Sequence, residues 1–146
     1  MIKQSTDRLD YLCQHIPPLL FAISETEFAY KQSLEKWSKK EILGHLIDSA
    51  TNNHQRFVRC QFEDMPTITY DQNKWNKSSH YNELSKDMLI LFWSGYNRFL
   101  SALIRQIPDE KLTRQCNTGG DVHLTLAELV TDYVAHMEHH LKQLVK

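Results

Sequence analysis

The sequence predicts an all-α fold, a four-helix bundle, on three observations. Only four glycines and four prolines occur in 146 residues, too few for an architecture of short strands and turns. Two capping boxes mark helix starts, Ser38 with Glu41 and Thr125 with Glu128. Four stretches carry apolar residues at helical spacing. We therefore expect one domain over residues 1–146, with four amphipathic helices around one core and no sheet.

The first helix is expected over residues 5–23. Its apolar residues at helical spacing are Leu9, Leu12 and Ile16. Pro17 and Pro18 follow within the same stretch. Because proline lacks the amide hydrogen and clashes with the preceding turn, this pair is expected to kink or restart the helix. Residues 25–37 are interpreted as a connector.

The second helix is expected over residues 38–62, beginning at the capping box. Its core residues should be Ile42, Leu43, Leu46, Ala50 and Phe57. The segment over residues 63–81 is turn-rich and too long for a simple connection between neighbouring helices. We expect it to cross the outside of the bundle, between the second and third helices.

The third helix, expected over residues 82–106, has two groups of apolar residues. The main stripe, expected to face the core, is Leu84, Met88, Leu91, Phe92, Tyr96, Phe99 and Leu103. Leu89, Ile90 and Trp93 fall off this stripe. They are therefore the candidates for an exposed patch through which two copies of the chain form a homodimer.

The fourth helix, expected over residues 124–145, places two histidines towards the core. Its apolar face consists of Leu126, Leu129, Val130, Tyr133, Met137, Leu141 and Leu144. His140 falls among these residues and His136 at their edge, whereas His139 lies about 100° away on the polar face. The inward pair is spaced i, i+4, which stacks two imidazoles one turn apart, as a shared metal requires.

A polar seam borders the core face of the second helix. Its members, about one turn apart, are His45, Ser49, Asn52 and Arg56. A solvated face would normally carry lysine and glutamate, so this row opposite a histidine pair is typical of an interior site in a bundle. We expect His45, His136 and His140 to bind one metal ion, with Asp48 supporting the ligands or acting as a general base.

The residues alone leave simpler interpretations open. A histidine at the edge of a core is usually only hydrogen-bonded, and an i, i+4 histidine pair on a helix also arises by chance. Unmetallated core histidines are therefore the alternative to a metal site. Arg56 and Asp48 could equally form a surface ion pair.

Charge and composition exclude several classes of partner. The net charge is -1 and the isoelectric point is near 6.7, so no basic surface is expected for nucleic acid or an anionic membrane. No apolar stretch suits a secretory signal or a membrane span. Three distant cysteines, Cys13, Cys60 and Cys116, fit reduced thiols. A cytoplasmic protein is expected.

Three long segments carry a family resemblance: KWSKKEILGHLIDSATNNHQRF, ITYDQNKW and LTLAELVTDYVAHMEHHLKQL. In this order, and spanning nearly the whole chain, they resemble the DinB-like family and its YfiT-like branch, which includes bacillithiol transferases. The resemblance implies an antiparallel four-helix bundle with a long crossover. It also implies a three-histidine metal site, with His45 and Asp48 in a His-x-x-Asp motif and His136 and His140 in a His-x-x-x-His motif.

Three protein ligands leave one to three positions open on a metal, which favours a catalytic site over a structural one. With the resemblance, this predicts a metal-dependent thiol S-transferase of the bacillithiol type, or a hydrolase, acting on a small molecule. The alternative is a non-catalytic metal-binding or stress-response module. The expected cofactors are one divalent ion (zinc, nickel, iron or manganese) and a low-molecular-weight thiol. Side chains expected to contact the substrate are Asn52, Arg56, Tyr70, Asp71 and Trp75.

Overall fold

The computed structural model describes residues 2–145, and four long helices form the bundle over that range. In chain order the elements are α1 (Ile2–Phe21), α2 (Glu25–Ala29), α3 (Lys39–Arg59), α4 (Gln72–Ser79), α5 (Lys86–Arg105), β1 (Gln115–Gly119), β2 (Val122–Thr125) and α6 (Leu126–Leu144). Short 3₁₀ turns at Tyr81–Glu83 and Asp109–Lys111 flank α5. None of these helices is long and apolar enough to span a lipid bilayer. The all-α bundle is confirmed.

The long crossover between α3 and α5 exists because these two helices run in the same direction. The start of α3 lies beside the start of α5, where Ser38 Oγ donates to Asn82 Oδ1 at 2.5 Å and Lys40 Nζ donates to the Leu84 carbonyl at 2.7 Å. The chain must therefore return along the whole bundle after α3 ends. The antiparallel neighbours are α1 with α5 and α3 with α6.

The two prolines of α1 neither end nor restart the helix, which continues to Phe21. Pro17 has no amide hydrogen to give to the Cys13 carbonyl, four residues earlier. That carbonyl instead accepts hydrogen bonds from α5, from Ser94 Oγ at 3.2 Å and from Arg98 Nη2 at 3.3 Å. The freed backbone group is thus satisfied by the neighbouring helix, and the polar contact joins α1 to α5.

The expectation for α5 was wrong, because the helix is rotated relative to its predicted orientation. Leu89, Ile90 and Trp93, proposed as an exposed dimer patch, are buried in the core. Much of the predicted core stripe is exposed instead, at Met88 (50%), Leu91 (64%), Phe92 (53%) and Phe99 (51%). The inward face also carries two polar residues, Asn97 and Ser101. They are satisfied inside, since Tyr133 Oη donates to Asn97 Oδ1 and Ser101 Oγ contacts the Thr6 carbonyl.

A two-stranded antiparallel hairpin corrects the expectation that the chain contains no sheet. β1 pairs with β2 across a turn at Gly120, whose φ of 58° favours glycine. The crossover joins this hairpin, because the Ile68 amide donates to the Asn117 carbonyl at 3.0 Å. Two short runs flanking a Gly-Gly pair are a known hairpin signal, but the second run leads directly into a helix start.

The crossover is anchored mainly by residues that the sequence analysis did not single out. Asn76 of α4 is buried and donates to the Glu41 carbonyl at 2.8 Å, which ties α4 to the first turn of α3. Ile68 and Tyr81 are buried in the core. Trp75 is 37% exposed, and its ring meets the partly buried Tyr70 edge-on with centroids 5.9 Å apart.

Candidate metal centre

Helix caps determine where the three expected metal ligands lie. Ser38 accepts from the Glu41 amide, and the Glu41 carboxylate accepts from the Ser38 amide at 2.9 Å, so α3 begins at a defined residue. His45 follows in the second turn and is 1% exposed. On α6, the equivalent capping box at Thr125 starts the helix that carries His136 and His140 in its last turns. The antiparallel packing of α3 and α6 then brings these residues to the same end of the bundle.

The three imidazoles converge on one point. The Nε2 atoms of His45 and His136 lie 3.1 Å apart, and one ring nitrogen from each of the three histidines lies within 4.8 Å of the others. Zinc–nitrogen bonds of about 2.0–2.1 Å in tetrahedral geometry place ligand atoms roughly 3.3 Å apart. The triad therefore has the dimensions of a metal site and could bind one ion after small side-chain movements.

The protonation states of the triad suit a cation. Burial, reinforced by the neighbouring imidazoles, lowers the pKa of His45 and of His136 to about 4. Both rings are therefore neutral near pH 7 and keep a lone pair for a metal. His140 Nδ1 lies 3.1 Å from Gln143 Oε1. The tautomer that carries its proton on Nδ1 would donate to this oxygen and leave Nε2 as the ligand atom.

Asp48 is a buried carboxyl one turn after His45. Tyr81 Oη donates to its Oδ1 at 2.5 Å, whereas Oδ2 has no partner among the described residues. His45 Nδ1 is likewise buried without a partner there. Burial raises the pKa of Asp48 to about 6, and the hydrogen bond from Tyr81 limits the rise. A bound ion, water or ligand at this end of α3 would satisfy such atoms.

The pKa shifts of His45, His136 and Asp48 predict how the stability of the metal-free protein depends on pH. Between about pH 6.5 and 4, His45 and His136 bind protons in the unfolded chain but stay neutral in the folded protein. Protonation therefore favours the unfolded state, and the free energy of unfolding falls as the pH falls. Asp48 acts in the opposite direction, because its folded carboxyl takes a proton at higher pH than the unfolded one. The net loss should be up to about 1.4 kcal/mol per pH unit.

Urea unfolding at several pH values, with a chelator present, measures this slope. Asp48→Asn removes the opposing contribution, so the loss of stability with falling pH should become steeper. A slope that is unchanged or reversed in this variant would contradict the assigned protonation states.

Two cavities each have one histidine of the triad in their walls. The first, which we name the His136 cavity, has a volume of about 210 Å³ and includes Arg56, Tyr70, Asp132 and His136 in its walls. The second, the His140 cavity, has a volume of about 470 Å³ and is lined in part by Trp37, Ile42, His140 and Gln143. The Trp37 ring also lies 4.9 Å from the His45 ring.

The expected substrate-contacting residues have different positions. Arg56 and Tyr70 line the His136 cavity. Asn52 is buried and donates to the Asp48 carbonyl at 2.9 Å, and Asp71 caps α4 by accepting from the Asn73 and Lys74 amides. Asn52, Asp71 and Trp75 line neither cavity. His139 is exposed and outside the cluster of converging nitrogens.

Comparison with known proteins identifies the family. The model of the DinB superfamily matches residues 2–144. The chain belongs to this superfamily. The solved structure of Bacillus subtilis YfiT, described as a probable metal-dependent hydrolase with an unusual four-helix bundle topology, superposes with a TM-score of 0.87. That match covers 98% of this chain and 85% of YfiT at 19% identity, so it shows a shared fold.

Several DinB-type relatives carry names that class them provisionally as metal-dependent hydrolases. A protein of Oceanobacillus iheyensis is 24% identical over 82% of this chain and 69% of its own length. One of Halalkalibacterium halodurans is 23% identical over 84% of this chain and 72% of its own. YfiT of Bacillus subtilis is 24% identical over 75% of this chain and 63% of its own. The aligned region is therefore about two thirds of each relative.

Proposed function

We propose that this DinB-superfamily protein is a metal-dependent enzyme that acts on a small molecule, with one divalent ion held by His45, His136 and His140. The observation that carries the proposal is the convergence of three imidazole nitrogens within 4.8 Å, with two of the rings held neutral by burial. A divalent ion at this point would lower the pKa of a water or thiol and supply a nucleophile at neutral pH.

The donor set favours catalysis over a purely structural role. Among the described residues, no fourth histidine, cysteine or carboxylate joins the cluster, and three-ligand sites keep positions open for a reactant. Asp48 is close to the cluster in sequence and is hydrogen-bonded to Tyr81 through Oδ1, so its other carboxyl oxygen can accept a proton. A site closed by a fourth protein ligand would instead support the alternative, a non-catalytic metal-binding or stress-response module.

Two nucleophiles fit the site. Water corresponds to the hydrolase named for the relatives. A thiol corresponds to an S-transferase of the bacillithiol type, which must hold a thiol and an electrophile together. Two cavities, one lined by His136 and the other by His140, offer separate places for two such reactants. Three free cysteines in the described residues agree with a reducing compartment, and we place the protein in the cytoplasm on that ground.

The test begins with protein made without a histidine tag or a nickel column. Elemental analysis after reconstitution with zinc, nickel, iron(II) or manganese should find about one ion per chain. Turnover is then measured with activated esters and amides, and separately with an electrophile plus bacillithiol or cysteine. Binding of an ion without turnover of either class would favour the non-catalytic module. Failure of all four metals to bind would overturn the proposal.

We also propose a homodimer, formed through the exposed apolar face of α5 rather than through the buried residues first expected. At half exposure a large side chain presents roughly 100 Å², so Met88, Leu91, Phe92 and Phe99 offer about half of the area each partner buries in a standard interface. Gly95 lies in the middle of this stripe with open space above it, so two α5 helices can approach closely about a two-fold axis.

Phe92→Glu is expected to convert a dimer into a monomer, because it would place a charge at the centre of an apolar interface. Analytical ultracentrifugation at micromolar concentrations measures the change. Leu19→Glu, on the exposed face of α1 (52% exposed), is the matched control and should leave the mass unchanged. A wild-type protein that sediments as a monomer would contradict the dimer.

A further inference from the structure

The wall of the His136 cavity contains an arginine and an aspartate that do not form an ion pair with each other. Arg56 projects from α3 and Asp132 from α6, and both line the same space of about 210 Å³. Among the described residues, neither takes part in an ion pair, so their charged atoms lie more than 4 Å apart. Unpaired opposite charges facing one small cavity are a complement for a ligand that carries both signs.

Arg56 is fixed by hydrogen bonds that use only some of its N–H donors. Its Nε and Nη2 atoms donate to the Ile68 carbonyl at 3.1 and 2.7 Å, and Nη1 donates to Asn53 Oδ1 at 3.3 Å. A guanidinium has five N–H donors, so two remain for a further acceptor. Since Ile68 is itself fixed to the hairpin, the cation is preorganised, and its remaining N–H groups can donate charge-assisted hydrogen bonds to an anionic acceptor such as a carboxylate.

Asp132 is placed to hold the other end of such a ligand. It lies one helical turn before His136, is exposed towards solvent, and lines the same cavity as Arg56. His136 lines this cavity too, so a ligand bound there would share the space with one histidine of the triad. Leu124 and Leu129 add apolar surface to the same wall.

We infer that the His136 cavity binds a small zwitterion of amino-acid size, with its carboxylate on Arg56 and its ammonium group on Asp132. The volume of about 210 Å³ admits a ligand of that size. A third substituent of the same molecule then faces the histidines. Only this last point rests on the proposed function, since the two charged contacts exist with or without a metal.

Four small thiols that share a two-carbon mercapto unit separate the two contacts. L-Cysteine carries both charges, 3-mercaptopropionate only the carboxylate, cysteamine only the ammonium group, and 2-mercaptoethanol neither. Titration calorimetry on metal-loaded protein should show cysteine binding at least about tenfold more tightly than any of the others, as expected for a charge-assisted hydrogen bond. Affinities within twofold of one another for all four thiols would overturn the inference.

Two variants assign the contacts. Arg56→Gln should lower the affinity for cysteine to that for cysteamine and leave cysteamine unaffected. Asp132→Asn should lower the affinity for cysteine to the affinity for 3-mercaptopropionate, and it should leave the affinity for 3-mercaptopropionate itself unchanged. Glu110→Gln, which makes the same charge change outside the cavity, is the control for Asp132→Asn. A variant that weakens all four thiols equally would show a general effect on the fold and contradict the assignment.

Metal-free protein distinguishes failure of this inference from failure of the proposed function. L-Serine, 3-hydroxypropionate and ethanolamine repeat the comparison without a thiol, and the same order of affinities is expected in the presence of a chelator. Selectivity for the zwitterion in a protein that binds no metal would support the zwitterion site and contradict the proposed metal-dependent enzyme. Metal binding without this selectivity would support the metal site and contradict the zwitterion site. If Arg56→Gln does not fold, Asp132→Asn tests the ammonium contact alone.

Discussion

His140→Ala is expected to abolish stoichiometric metal binding, whereas His139→Ala should leave about one ion bound per chain. The two residues are neighbours on α6 and lose the same side chain, but only His140 belongs to the cluster of converging nitrogens. Loss of an outer contact to a metal ligand already costs 10- to 100-fold in affinity, so loss of the ligand itself should cost more than about a hundredfold. Turnover of any substrate should fall with the ion.

Competition with a chromophoric chelator measures the affinity of each variant. Circular dichroism supplies the control, because His140 is only partly buried and the substitution should leave the helical content unchanged. If His139→Ala lost the metal and His140→Ala kept it, ion binding would be due to the histidine-rich end of α6 and not to the interior triad. The convergence of the three imidazoles would then no longer support the proposal of a metal-dependent enzyme.

The position of this triad followed from the sequence because several independent rules agreed on it. Capping boxes at Ser38 and Thr125 fixed where α3 and α6 begin, so the direction of each later side chain could be calculated. A rotation of about 100° per residue then placed His136 and His140 towards the apolar face and His139 on the polar face. Short-range rules suffice when a site lies on regular helices.

The orientation of α5 could not be obtained in the same way. This helix has two apolar faces, and the one that is buried also includes Asn97 and Ser101. Hydrophobic periodicity predicts burial of the face that has no polar residues. In the structure the other face is buried, because Asn97 and Ser101 have hydrogen-bond partners on α6 and α1. Only tertiary contacts reveal that those polar groups are satisfied inside, so the pattern indicated the wrong face.

The cavity was also only partly predictable. Arg56 belonged to a polar seam that the sequence revealed, whereas Asp132 lay on the polar face of α6 and gave no signal of its own. Its role depends on the hairpin and the crossover, which build the remaining walls around Thr118 and Tyr70. Contacts between segments far apart in sequence do not leave a local periodicity, and the positions of loops are the least constrained by it.

Gly44→Ala should be among the most destabilising small substitutions in the chain. A Cβ atom at this position would lie 2.1 Å from Cδ2 of the Tyr81 ring, and that ring is buried in the core. Overpacking of this kind costs about 1–3 kcal/mol. Displacing the ring would also break its hydrogen bond to Asp48, which adds roughly 1–3 kcal/mol for a buried carboxyl without a partner. Urea unfolding should show a combined loss of about 2–5 kcal/mol, after the gain in helix propensity from glycine to alanine is subtracted.

Gly95→Ala is the matched control, since this glycine also lies inside a long helix but has open space where its Cβ would be. At concentrations at which the protein is monomeric, it should gain about 0.5–1 kcal/mol from helix propensity. Tyr81→Ala removes the ring, and Gly44→Ala introduced into that background should then cost little or become stabilising. Equal losses from Gly44→Ala with and without the ring would mean that Tyr81 is not what requires glycine here. The close approach of the crossover to α3, which places Tyr81 on Asp48 one turn beyond His45, would then need another explanation.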